Sequence, residues 1–108
     1  MLRALLNLSQ LDAGGIKPLM RSVFIDDLFV ELYREFAQMA KRKGLRLRIV
    51  KSSLWIVSDP DLLRSVLQNL IINAIRYTDK GGVLIGCRRQ ASGVRIEVWD
   101  SGRGIPET

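Results

Sequence analysis

Two groups of residues in this sequence have the types and spacing to do chemistry. The first is Ser65, Asn69, Asn73 and Arg76, within the stretch from Pro60 to Tyr77. On a helix turning about 100° per residue, these positions stack one above another. Asparagine is a mediocre helix former that prefers caps and turns. Two in register, followed by an arginine, make a coherent polar stripe. Leu62, Val66 and Ile72 flank it, and amides in a partly apolar setting need partners. Amide oxygens are hard ligands suited to Mg²⁺, and a guanidinium suits phosphate. Taken alone, the stripe also fits a solvated helix face.

The second group is Asp100-Ser101-Gly102-Arg103-Gly104, directly after a strand-like run. Glycines let a backbone approach a flat ligand closely. An aspartate at a strand end can accept a hydrogen bond from an exocyclic amine. Guanine offers no such donor at the matching ring position, so this aspartate would favour adenine. Taken alone, the pattern is also that of a common turn.

Periodicity supplies the elements that must position these groups. Residues 2–11 read as a short helix with Leu2, Leu5, Leu6 and Leu8 apolar, ending at Asp12-Ala13-Gly14-Gly15. Pro18 keeps the next stretch extended, and Ser22 to Ile25 reads as a short strand. Asp26 and Asp27 supply a cap and first-turn charge for a helix to about Lys43. Its apolar face is Leu28, Phe29, Leu32, Phe36 and Ala40, and Gly44 closes it. Leu45 to Ile49 alternates apolar and basic residues, and Leu54 to Val57 is a second strand. Ser58-Asp59-Pro60-Asp61 starts the helix that carries the stripe. Its core face is Leu63, Leu67, Leu70, Ile71 and Ala74. After a turn at 78–82, Val83 to Arg89 and Val94 to Trp99 form a hairpin around Gln90-Ala91-Ser92-Gly93. The expected fold is α+β: a two-layer sandwich with a mixed, mostly antiparallel sheet and helices on one face.

Composition removes several alternatives. The chain has 108 residues, enough for one small domain, and 47% of them are apolar. No apolar run approaches the roughly 18–20 residues of a membrane span, and no signal peptide is read at the amino terminus. No membrane contact by this segment is expected. Histidine is absent, so a Ser-His-Asp triad, histidine metal ligands and a phospho-accepting histidine are excluded within the chain. The single cysteine, Cys87, cannot form an internal disulfide and reads as a small near-core residue in a reducing compartment. The net charge of +6 is spread out, with a denser run at Lys41, Arg42, Lys43, Arg46, Arg48 and Lys51. That run reads as a solvated helix end and the outer face of a strand. A basic stripe interleaved with aromatics is missing, so no nucleic acid partner is expected.

Together the two groups carry a family resemblance. Asn69-Leu70-Ile71-Ile72-Asn73-Ala74-Ile75-Arg76-Tyr77-Thr78 resembles the N box of the histidine-kinase ATPase domains, of the Bergerat (GHKL) type. Asp100-Ser101-Gly102-Arg103-Gly104-Ile105-Pro106 resembles their G1 box. Ser58 to Leu63 is similar to the usual start of the N-box helix. Leu5 to Gly14 is similar to the end of the helical dimerisation domain, which also disfavours a topoisomerase or chaperone relative. Val83 to Arg89 and Ile96 to Asp100 resemble hybrid sensor kinases in particular. The implied division is residues 1–14 as the end of the dimerisation domain and linker, and residues 15–108 as an incomplete ATPase domain.

The resemblance implies roles residue by residue. Asn73, assisted by Asn69, would hold the Mg²⁺ that bridges the phosphates of ATP. Arg76 and Tyr77 would contact those phosphates. Asp100 would bind the adenine amino group, with Gly102 and Gly104 shaping the pocket floor. Ser65 departs from the family pattern, where Gln or Glu is frequent, so the N box offers no general base here. The lid, the later boxes and the substrate histidine are absent, so this chain alone is expected to be inactive and to bind nucleotide weakly. The implied partners are a helical dimerisation domain and a response regulator or receiver domain. The implied location is the cytoplasm, with a parent that can be membrane-anchored. A homodimer is expected, because the strand at Val94 to Trp99 would be left as a sheet edge. The alternative is a non-catalytic dimerising or regulatory module derived from the same fold.

Overall fold

The structure, a computed structural model, describes residues 2–9, 19–91 and 93–100. The elements in chain order are β1 (Leu2–Ser9), β2 (Arg21–Phe24), α1 (Ile25–Arg42), β3 (Arg46–Ile49), β4 (Trp55–Ser58), α2 (Pro60–Tyr77), β5 (Gly82–Gln90) and β6 (Gly93–Asp100). A four-stranded sheet has the order β1-β6-β5-β3, and β2 and β4 form a separate antiparallel ribbon. Within the larger sheet, β3 and β5 are parallel, and the other pairs are antiparallel. Parallel neighbours need a long crossover, and the chain supplies one through β4 and α2. The α+β two-layer sandwich with a mixed sheet is therefore the observed fold.

Both helices bury the faces that their spacing marks. Ile25, Leu28, Phe29, Leu32, Phe36 and Ala40 of α1 are buried, as are Leu63, Leu67, Ile71, Ala74 and Ile75 of α2. They meet alternate residues of the sheet: Leu47, Val83, Ile85, Val94, Ile96 and Val98. Leu70 is only half-buried, and Ile75 takes the core position instead. The cap of α1 differs from expectation. Its N-cap is Phe24, which makes no side-chain cap. Asp26 and Asp27 lie in the first turn, and Asp26 Oδ1 accepts from the Ser52 N–H instead. Packing at the end of β2, where the Ile25 N–H donates to the Leu54 carbonyl, fixes the helix start.

The helix expected over residues 2–11 is not formed where the structure describes it: Leu2–Ser9 is a strand. Leu2, Ala4, Leu6 and Leu8 also satisfy a period of two, and Ala4, Leu6 and Leu8 pack half-buried against the core. A helix of that length is marginal alone, whereas pairing with β6 satisfies the backbone groups that face it, from Leu2↔Trp99 to Ser9↔Gly93 with a register shift between Leu2 and Ala4. The strand at 93–100 is therefore interior, flanked by β1 and β5, and is not the exposed edge that motivated self-association. Residues 10–18, which include the Asp12 to Gly15 terminator and Pro18, lie outside the described residues, as does Ser92 of the hairpin.

One glycine is dictated by this geometry. Gly82 sits opposite Arg46 in the parallel pair, and a Cβ there would collide with the Arg46 carbonyl oxygen.

Candidate functional site

The stripe is presented by a helix fixed at both ends. At its start, Asp59 Oδ1 accepts from the N–H groups of Asp61 and Leu62 at 3.0 and 3.1 Å. The other oxygen accepts from the Leu19 N–H at 2.9 Å. These backbone donors, Leu62 first, hold the Asp59 carboxyl below its usual range. At the far end, Lys43 Nζ donates to the carbonyls of Ile75 and Arg76 at 2.8 and 2.5 Å. These are among the carbonyls that a helix terminus leaves without partners. Along its flank, α2 is tied to α1 through Arg64 with Glu31 and Gln68 with Glu35.

What remains outward is the predicted face. Asn69, Asn73 and Arg76 are exposed in line, and Tyr77 is 62% exposed beside them. The apolar flank is looser than the sequence suggests. Leu62 and Val66 are exposed, and only Ile72 is half-buried. The two amides make no side-chain hydrogen bond among the described residues, so their oxygens are open to a ligand. Those residues also hold no cluster of acidic or cysteine side chains that could bind a metal unaided. The donor set fits a Mg²⁺ ion that keeps phosphate oxygens and waters as its remaining ligands.

Asp100 ends β6 opposite Val83 and points to the helix side of the sheet, as Val98 and Ile96 do. It is 5% exposed. A buried carboxylate needs compensating charge, which the guanidinium of Arg3 supplies in an ion pair with Oδ2. Helix α2 packs on β6, so the amide stripe and the carboxylate belong to two elements in contact. Gly102 and Gly104, with the rest of the loop from Ser101, lie outside the described residues.

Sequence reasoning missed three contributors. Arg3 was hidden because the residues it meets are set by strand pairing across nearly the whole chain. Lys43 read only as favourable charge at the end of α1. Thr78, the C-cap of α2, is 2% exposed, and its hydroxyl has no partner among the described residues. An orphan of this kind costs about 1–3 kcal/mol and offers a polar contact where α2 enters β5. A second polar cluster lies on the other face of the sheet. There Glu97 accepts from Trp99 Nε1 at 3.0 Å and from Arg88 Nε at 3.3 Å. The indole donor first, then the arginines, hold its carboxyl below the usual range.

Comparison with known proteins agrees with this geometry. Residues 58–108 match the family of histidine kinase-, DNA gyrase B- and HSP90-like ATPases. The adaptive-response sensory kinase SasA of Crocosphaera subtropica is 35% identical over 89 residues, which cover 79% of this chain and 23% of that protein. Full-length ShkA in complex with AMPPNP superposes with a TM-score of 0.73 at 27% identity, over 88% of this chain and 21% of that one. Histidine kinase ThkA in complex with response regulator protein TrrA gives 0.68 at 27% identity, over 82% and 27%. Residues 58–108 carry the sequence of this ATPase family, and the chain shares the fold of histidine-kinase ATP-binding domains. It spans only part of the curated relatives it matches, from 14% to 26% of their length and 23% of SasA.

Proposed function

We propose that this chain holds ATP for phosphoryl transfer to a histidine on an adjoining helical dimerisation domain. The observation that carries the reading is the buried carboxylate of Asp100 at the end of β6, packed against a helix whose exposed face is Asn69, Asn73 and Arg76. Asp100 accepts from the adenine amino group. Arg76 and Tyr77 hold the phosphates, and Gly102 and Gly104 shape the pocket floor. Asn73, with Asn69, would hold Mg²⁺, which when bound neutralises charge developing on the transferred group. The chain's own residues orient the nucleotide, and Ser65, near the point where Gln or Glu is frequent in the family, offers no carboxylate to serve the N box as a base. ShkA bound to AMPPNP, an ATP analogue, supports the ligand, and the ThkA–TrrA complex supports a response regulator as recipient.

Residues 1–14 would be the end of the dimerisation domain and the linker in the longer protein, which would act as a homodimer. Its ATP chemistry belongs in the cytoplasm. Among the described residues no helix is long and apolar enough to cross a membrane.

Asp100→Asn in the longer protein tests the reading. One acceptor oxygen becomes an amide, and a buried donor–acceptor mismatch costs on the order of 1–3 kcal/mol. ATP affinity should fall about tenfold or more, with the secondary structure unchanged. Unaltered ATP affinity would refute it.

A further inference from the structure

We infer that Lys43 is a positioning residue for the phosphate half of the site; this rests on the assignment of Arg76 and Tyr77 to the phosphates of ATP. Those two side chains end α2, so phosphates held on them lie at the carbonyl end of the helix, the unfavourable end for an anion. The last four carbonyls have no partner within a helix, and the aligned peptide dipoles place about half a negative charge there. The usual relief is a left-handed residue just past the helix, which turns its N–H back to the carbonyls. Here the C-cap Thr78 is extended, with φ −99° and ψ 120°, and no left-handed residue follows before Gly81. Lys43 supplies the donors instead, from Nζ to the Ile75 and Arg76 carbonyls at 2.8 and 2.5 Å. Its charge lies against the negative end of the dipole. The Arg76 carbonyl belongs to the peptide that joins Arg76 to Tyr77, so the same bond holds the backbone from which both side chains leave.

The ammonium is delivered from a fixed corner between α1 and β3. Lys43 is the C-cap of α1, and its N–H donates to the Ala40 carbonyl at 3.1 Å. Gly44 follows with φ 78°, a left-handed conformation that glycine adopts without strain. The N–H groups of Gly44 and Leu45 return to the carbonyls of Lys41 and Ala40, each at 2.9 Å. Ala40 and Leu45 anchor the corner in the core. The corner then meets the chain a second time, beyond α2. The Arg46 N–H donates to the Gly81 carbonyl at 3.0 Å, and Gly82 lies close against the Arg46 carbonyl. Residues 75–82 are thus held at both ends by residues 43–46, while Arg76 and Tyr77 between them stay exposed.

Neutralising Lys43 should therefore weaken nucleotide binding in a protein that still folds. The test is calorimetric titration of the longer protein with Mg²⁺–AMPPNP, in the native sequence, Lys43→Gln, Lys43→Arg and Arg76→Gln. Lys43→Gln should raise Kd about fivefold, the effect of losing one cation at a helix carboxyl end, with the number of binding sites unchanged. Lys43→Arg keeps the charge and should restore most of the affinity. A merely structural role would lower the number of competent sites and leave Kd as it was. An unchanged Kd in Lys43→Gln, or an equal rise in Lys43→Gln and Lys43→Arg, with Kd still raised by Arg76→Gln, overturns the role of Lys43 and leaves the phosphate assignment standing. An unchanged Kd in Arg76→Gln, or no binding by the native protein, overturns the phosphate assignment and the role of Lys43 with it.

Discussion

Replacing Asn73 with alanine should separate function from folding. The side chain is exposed on α2 and makes no hydrogen bond among the described residues, so its removal opens no cavity. Alanine is the better helix former, by up to about 0.7 kcal/mol at an interior position. The neighbouring core residues, Leu67, Ile71 and Ala74, are each 0% exposed and are untouched by the change. The variant should therefore match or exceed the native melting temperature, by a few degrees at most. Its Mg²⁺–nucleotide chemistry should fail, because a metal held by few protein oxygens loses one of them. We expect kinase activity of the longer protein to fall at least a hundredfold, about 2.7 kcal/mol of lost transition-state stabilisation. Thermal unfolding by circular dichroism and incorporation of labelled phosphate from ATP measure the two effects. Full activity in Asn73→Ala would refute the metal role. A large drop in melting temperature would refute the exposed placement of the stripe.

Further outcomes follow from the same geometry. Leu67→Ala should cost about 2–5 kcal/mol, read as a lower denaturant midpoint, because the side chain is fully buried between the layers. Asp59→Ala should lower the melting temperature, since both carboxylate oxygens accept backbone N–H bonds at the start of α2. The Asp59 carboxyl is held below its usual range, so its contribution is fully present above the unfolded value and is lost as pH falls through the folded one. An acid titration of helicity should show that loss in the native protein and not in Asp59→Ala. Thr78→Val should leave stability unchanged or improve it, because it removes a buried hydroxyl that has no partner among the described residues. A clear loss in denaturant titration would mean that the hydroxyl is satisfied. The chain alone should acquire no acid-labile phosphate from ATP, as it contains no histidine; mass spectrometry under neutral conditions checks this.

The sequence by itself determined the two helices, the hairpin and the shared face of the stripe. Each rests on local patterns. Asp59-Pro60 starts a helix wherever an apolar period of 3.6 follows, and Asn69, Asn73 and Arg76 share a face by helix geometry alone. The alternation of β6 likewise puts Asp100 on the side of Ile96 and Val98 without reference to the rest of the chain. Tertiary structure decided what local pattern leaves ambiguous. The segment Leu2–Ser9 satisfies both a helical and a strand period, and only the open side of β6 selected the strand. The same pairing put Arg3 on Asp100 and Asn7 beside Gln90. Lys43 found the carbonyls of Ile75 and Arg76 for the same reason. Partners far apart in sequence are brought together by burying a shared apolar face, and no spacing along the chain encodes which one a side chain will meet.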